Sequence, residues 1–599
     1  MCLAMFVGAS AGLAAQNFAN PLPIPYLLPG PEFDIEITSA EHNFDPNGTL
    51  TDINLNVLLP AYCYNEVGNT GMTYNGPTLT FEKGQEMSLD ITNNIDEDMG
   101  TTVHWHGLNV PAKEDGGPHQ VIEHKTTWSP TLPIVDPVQT IWYHSHLMDF
   151  TTDQVIRGMA GLIVVEDPQN DPLYAELPHD YGVNDIPLNI QEKGFVLDSS
   201  TTPPTAKAIK AGEKPGNGPW TLVNGVVNAV ARVPRQVVRL RILNGSPRKM
   251  FNIGLSTELE NPTSFANMVM IATGGGYLPK SIPVSSSMIA VGDRIEFLVD
   301  FSAYENGTTL YMSNLAVPAD ADYGTTLGDA LMAFIVDESI SPANPVTTIP
   351  DELDTEYELA PGDVAMTRDK ELLGKKGSGD LWTIDGTPMD MSVINDIVLV
   401  NTKEKWIIHN TTDVAHPFHI HKVQFQVTRY DGLLGTMDTP GQWEYPDLPP
   451  DLIGYKDVQL IRAGATLEFE ARFDFFPSPL LASEGFMYHC HILTHEDNSM
   501  MHQFVVVDSA DFPTSVDVPA ARNVLMLHPN PAANTLVFKG SFNKAGTLRL
   551  YNMAGQVVKE QFIDAPASAV IDVSGLPRAA HIVEFVTAND RFIQKVLLK

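Results

Sequence analysis

The chain reads as an all-β protein of several domains, on three observations. Its 45 prolines and 44 glycines punctuate many short apolar runs, the pattern of strands bounded by turns rather than of long amphipathic helices. Four His-x-His pairs lie in strand-like surroundings, where a spacing of two puts both imidazoles of a pair on one face. With 599 residues, 43% of them hydrophobic, the chain is long enough for several buried cores rather than one.

Taken in order, Met1 to Ala15 is apolar and small, ending in Leu13-Ala14-Ala15-Gln16. Residues 1–15 therefore look like a signal segment without its usual basic start. A first domain is expected over about 33–168, closing with Leu162-Ile163-Val164-Val165. A second, about 180–340, holds strands such as Val237 to Leu243 and Ile295 to Asp300. It contains no His-x-His and reads as a structural spacer. The third spans about 355–508. A linker over 510–523 leads to residues 524–599, where Leu548 to Gln556 and Ile571 to Pro577 recur at short-strand spacing, as in a small β-sandwich.

Composition excludes some classes. No apolar run reaches the roughly 18 residues of a membrane span. A formal charge of −37 argues against nucleic acid or an anionic membrane as partner, and a solubilising acidic surface is its simplest reading. Of three cysteines, Cys2 falls in the signal segment, Cys63 reads as a buried apolar residue and Cys490 has another use, so no structural disulfide is expected.

That use is legible in Tyr488-His489-Cys490-His491-Ile492-Leu493-Thr494-His495, with Met500 beyond it. A thiolate, a histidine and a methionine are three of the four ligands of a blue-copper site, which needs one more histidine. His489 and His491 flank Cys490 and point to the opposite strand face, together. The other pairs are His104 and His106, His144 and His146, and His419 and His421. Random placement of 18 histidines gives roughly 0.5 such pairs, and four are present. A lone histidine is more often a core or surface residue, but eight paired imidazoles suffice for a cluster of three copper ions. His416, left over in His416-Pro417-Phe418-His419-Ile420-His421, is the natural remaining ligand for the copper at Cys490.

These four ordered motifs make the chain resemble the three-domain multicopper oxidases: laccases, spore-coat laccase, bilirubin oxidases and the cuprous oxidase. The likeness runs from about 33 to 508 and continues in Tyr74-Asn75-Gly76-Pro77, Trp220 to Gly225 and Gly454-Tyr455-Lys456-Asp457. It implies three cupredoxin-like Greek-key barrels or sandwiches and four copper ions: one type 1, one type 2 and two type 3. By position it assigns His416, Cys490, His495 and Met500 to type 1, and His104 and His419 to type 2. The type 3 pair receives His106, His144, His146, His421, His489 and His491. It further implies one-electron oxidation of a small donor, electron passage from Cys490 to its neighbouring histidines, and reduction of O2 to water. Asp115 and Glu496 match the residues that supply protons, or else simply orient imidazoles.

The donor is less legible. By resemblance Asp457 matches a position near the type 1 site of the cuprous oxidase, and would there accept a phenolic proton or serve as a structural carboxylate. Gln459 stands where that enzyme has methionine, and its Met-rich insertion is missing between Leu353 and Trp382. Cu(I) prefers thioethers, so phenols and aromatic amines are the expected donors, with bilirubin or Cu(I) as alternatives. A non-enzymatic copper-binding or storage protein is the remaining class; it has no need of a cysteine between two ligand histidines. The tail at 524–599 resembles the sorting domain of type IX secretion, with Arg578-Ala579-Ala580-His581 replacing the common Gly-x-Tyr turn. A secreted, cell-surface or periplasmic monomer is expected, with the secretion machinery as a partner.

Overall fold

A computed structural model describes residues 16–512 apart from 211–217, 261, 323–329, 355–356, 376–380 and 438, together with the strands and several turns of 525–598. The expected signal segment, with Cys2, and most of the linker lie outside the described residues. The chain divides into two compact units, Met1–Phe512 and Pro513–Lys599.

The larger unit is built of antiparallel and mixed sheets around three large apolar cores. The first core, with Phe33, Ile37, Trp105 and Tyr143, lies between two five-stranded sheets. In one of them β1 (His104–His106) pairs with β2 (Gln139–His144), and β2 with β3 (Ala160–Glu166). The second core, with Leu240, Phe297 and Phe334, lies between two six-stranded sheets, one containing β4 (Arg294–Asp300). The third contains Trp406, Phe418 and Cys490. It is walled by a sheet in which β5 (His416–Ile420) runs between β6 (Val458–Ile461) and β7 (Phe486–Cys490), with β8 (Met501–Val507) beyond β7. This is the all-β architecture that turn-punctuated apolar runs imply.

Alternation explains how these sheets dock. Along Val237–Asn244, Val238, Leu240 and Ile242 enter the second core, so Arg239 and Arg241 face the other way. They are buried too, because Glu296 and Asp185 neutralise them at 2.5 and 2.7 Å. Thr140 on β2 joins them, donating to Glu296 at 2.6 Å and accepting from Arg241 at 2.7 Å. A polar seam therefore locks the first sheet system to the second. It is paired throughout, as burial of charge requires.

Two features depart from the expectation. The strand order begins before residue 33: Asn20–Pro21 pairs with Ala229–Val230, and Leu27–Pro29 with Thr78–Thr80. The histidine pairs also sit at strand ends rather than inside strands. His146, His421 and His491 each fall just past β2, β5 and β7. Among the described residues the only α-helices are α1 (Thr151–Arg157) and α2 (Leu493–Glu496), and no helix is long and apolar enough to cross a membrane.

The smaller unit is the expected β-sandwich. A three-stranded sheet faces a four-stranded one, around Leu536, Leu548, Leu550, Ile571, Val583 and Phe585. We expect removal of residues 513–599 to leave donor oxidation unchanged within about twofold, since the four His-x-His pairs and Cys490 all lie in the larger unit and activity resides in the site rather than in the appended fold. Oxygen uptake by the truncated and full chains measures this.

Candidate metal centre

Two sheet pairings bring the four histidine pairs together. Antiparallel register sets His144 opposite His104 on β2 and β1, and His489 opposite His419 on β7 and β5. All eight imidazoles are at most 1% exposed. Their nitrogens fall into three-donor groups lying within 4.8 Å: His106, His144 and His491; His146, His421 and His489; and His104, His106 and His419. In the first group His491 Nε2 is 3.2 Å from His106 Nδ1, and in the second His146 Nε2 is 3.3 Å from His489 Nε2. Two nitrogens bound tetrahedrally to one ion at about 2.0 Å stand about 3.3 Å apart, so these spacings suit shared ligation.

The outer ring nitrogens are held in place. Nδ1 of His104 meets the Asp115 carbonyl at 2.8 Å, and that of His421 meets the Asp115 carboxylate at 2.8 Å. His419 Nδ1 meets the Asp457 carbonyl and His144 Nδ1 the Ser145 carbonyl, both at 2.8 Å. Such anchors fix ring orientation and tautomer and leave Nε2 for a metal. Nε2 of His104, His144, His419 and His421 is buried with no hydrogen-bond partner among the described residues. Buried polar atoms are ordinarily paired, so these four nitrogens fit a metal that the site is built to take. Burial, reinforced by the neighbouring imidazoles, holds the pKa of His104 and His421 well below the usual range and that of His146 at about 3. The rings are therefore neutral and can ligate.

A second constellation lies within the third core. Cys490 Sγ is 3.2 Å from His416 Nδ1 and 3.7 Å from His495 Nδ1, and the two Nδ1 atoms are 3.4 Å apart. His416 Nε2 is fixed by the Thr412 hydroxyl at 2.8 Å. Burial pushes the Cys490 thiol far up, so it needs a bound cation to become the thiolate that ligates. Met500 is buried beside it, its carbonyl accepting the Cys490 N–H at 3.2 Å. Met501 faces elsewhere, into a small cluster with Met389 and Met487.

Both acids are in the expected neighbourhood. Glu496, on α2, has Oε1 3.3 Å from His146 Nδ1 and Oε2 3.3 Å from His489 Nδ1. Asp115 adds a 3.5 Å approach to His104. Burial drives both carboxyls well above the usual range; for Glu496 the neighbouring Asp497 adds to it.

Of the two roles expected of Asp457, the geometry favours the structural carboxylate. Its carboxylate is 1% exposed and clamped by Arg294, with Oδ1–Nη1 and Oδ2–Nη2 both 2.7 Å. Oδ1 also lies 3.6 Å from His106 Nε2. Asp457 thus backs the eight-histidine cluster, and a buried carboxylate already paired in two places does not take a proton from a donor at the Cys490 site. The reason is register: His419 is opposite Val458, next to Asp457, whereas His416 is opposite Ile461.

Arg294 also corrects the reading of the middle domain as a spacer. Its other three donors reach the carbonyls of Thr140 at 3.2 Å, Gly292 at 3.0 Å and Gly274 at 3.0 Å. All five guanidinium N–H groups are used, and the side chain is fully buried. It joins β2, β4 and the residue that anchors His419. Gly107, at φ +100°, gives it room: a Cβ there would stand 2.7 Å from Asp457 Oδ2 and 2.9 Å from Arg294 Nη2. No sequence motif marks Arg294.

A cupredoxin-type fold with a cysteine–histidine trio and a buried eight-histidine cluster defines a copper redox protein. Residues 61–170 and 364–510 match the multicopper oxidase family, and residues 526–599 match the secretion system C-terminal sorting domain. The multicopper oxidase mco of Staphylococcus haemolyticus is 31% identical over 452 residues, 74% of this chain and 85% of that protein. The cell division protein FtsP of Escherichia coli is 29% identical over 446 residues, 72% and 85%. The solved structure of a laccase-like multicopper oxidase, CueO from Ochrobactrum sp., superposes with a TM-score of 0.65 at 31% identity, covering 81% of this chain and all of that one. The chain belongs to the multicopper oxidase family. It is a copper-dependent oxidoreductase using a small-molecule donor and O2, and its tail marks it for secretion.

Proposed function

We propose a laccase-like oxidase with four coppers. Type 1 copper is held by His416, Cys490, His495 and Met500, and type 2 by His104 and His419. The type 3 pair is held by His106, His144 and His491 on one ion and His146, His421 and His489 on the other. The observation that carries this is the peptide at Cys490: its two flanking histidines belong to two different three-donor groups. One short backbone therefore leads from the thiolate to both. Copper held by these residues would supply one-electron acceptance from a donor and four-electron reduction of O2 to two waters.

The chain's own residues orient and protonate. Asp115 holds His104 and His421, while the Asp457 carbonyl holds His419. Glu496 and Asp115, whose pKa values burial pushes upward, are placed to hand protons to the oxygen side. Phenols and aromatic amines are the favoured donors, because the thioether-rich insertion that Cu(I) would use is lacking and soft ligands are what Cu(I) prefers. The three apolar cores support domains at about 33–168, 180–340 and 355–508, in a monomer.

The test is oxygen uptake by copper-loaded protein given a phenol, bilirubin and Cu(I) in parallel, with copper counted. Four phenol equivalents per O2 are expected, without peroxide. A storage protein, or a relative with no redox role, consumes no oxygen with any of the three.

A further inference from the structure

The three side chains that meet at Cys490 are not equally covered. His416 and Cys490 are fully buried, and His495, at 7% exposed, is the least covered of the three. That ring is capped by Trp382. The indole lies parallel to the His495 imidazole, with centroids 4.3 Å apart and planes at 20°, and meets His416 edge-on at 5.2 Å and 68°. It is itself only partly buried, packed against the third core. Its seat is specific: Gly374, at φ +142°, lies so close that a Cβ there would stand 2.4 Å from Trp382 Cε3. Apolar packing alone is satisfied by leucine, whereas parallel stacking presents a flat π-face continuous with a candidate copper ligand.

We propose that Trp382 is the docking face for the donor, and that it selects electron-rich planar rings, phenols and aryl amines, by stacking. This rests on the reading of His416, Cys490 and His495 as type 1 ligands and deepens it. Offset stacking is the preferred arrangement of aromatic pairs, so a phenol on the indole aligns with the same column as His495. The phenol gives up one electron and its hydroxyl proton and leaves as a phenoxyl radical. The proton passes to solvent. The electron crosses the indole and the His495 imidazole to the oxidised copper, which is reduced from Cu(II) to Cu(I). The indole is a conduit and is not itself oxidised. Asp457, clamped against Arg294, plays no part in donor binding.

The experiment compares wild type, Trp382→Phe and Trp382→Leu as copper-loaded full chains. Each is assayed with a dimethoxyphenol and with hexaammineruthenium(II), a one-electron donor without a ring to stack. The blue absorption band and the type 1 reduction potential are recorded alongside. Trp382→Leu should stay blue with a shifted potential, raise KM for the phenol about tenfold and speed the ruthenium donor, whose path to His495 shortens. Trp382→Phe should recover most of the phenol KM. An unchanged phenol KM in a blue Trp382→Leu protein overturns the proposal, as does an equal loss with both donors, which makes Trp382 mere support. A wild-type protein that binds copper without a blue band instead overturns the type 1 reading beneath it.

Discussion

Glu496→Gln is expected to lower oxygen turnover about 100-fold while leaving the blue band and donor oxidation in a single turnover intact. General acid–base groups contribute about 10²–10⁴-fold, and Glu496 is placed for that role on the oxygen side only. Its two oxygens reach Nδ1 of His146 and of His489, each at 3.3 Å. Both rings belong to one three-donor group. Glutamine keeps the shape and can still face both rings, but it carries no transferable proton. Burial, with Asp497 beside it, pushes the native carboxyl well above the usual carboxylate range, the direction that suits a proton donor. The type 1 trio keeps its own contacts, His416 with Thr412 and Cys490 and His495 with Cys490. The distinguishing measurement is steady-state oxygen uptake set against anaerobic bleaching of the blue band by one addition of phenol. Unchanged uptake would mean that Glu496 only orients imidazoles.

Much of this centre was legible because its logic is local. A pair at spacing two shares a face whatever the rest of the chain does, and Cys490 with its flanking histidines is contiguous. Turn residues between apolar runs likewise marked the sheets and the tail sandwich. The gaps all arise from register and long-range meeting. Asn20–Pro21 and Leu27–Pro29 are strands only because distant partners exist at Ala229 and Thr78; their own prolines argue against them. Asp457 was readable as a motif residue, but which end of β5 it joins depends on the β5–β6 register. Trp382 and Arg294 carry no periodic signal at all. An arginine four residues past Ala290 looks like a surface charge until three separate segments close over it.

That closure makes Arg294 the residue whose loss should spread furthest. Arg294→Met is expected to lower type 2 copper occupancy and turnover by about 10–100-fold, the usual consequence of losing a group that orients metal ligands. It should leave the blue band in place, since no described contact links Arg294 to His416, Cys490 or His495. Two effects must be separated. Removing one partner of a buried ion pair costs about 3–5 kcal/mol by stranding the other charge, here Asp457. The second effect is positional: without the bidentate clamp, the backbone at Asp457 no longer presents its carbonyl squarely to His419 Nδ1, and His106 loses the carboxylate behind it. The double variant Arg294→Met/Asp457→Leu tells them apart. Replacing both partners with apolar groups is often neutral for stability, so thermal stability should return while the type 2 signal in electron paramagnetic resonance stays weak. Arg294→Lys should fare little better than methionine, because an ammonium has three donors against the guanidinium's five and cannot make the parallel pair. If the double variant recovers type 2 copper together with stability, the clamp is only a fold-stabilising pair. If copper stays low in a stable protein, the domain without a single His-x-His is what sets the geometry of the site at which oxygen is reduced.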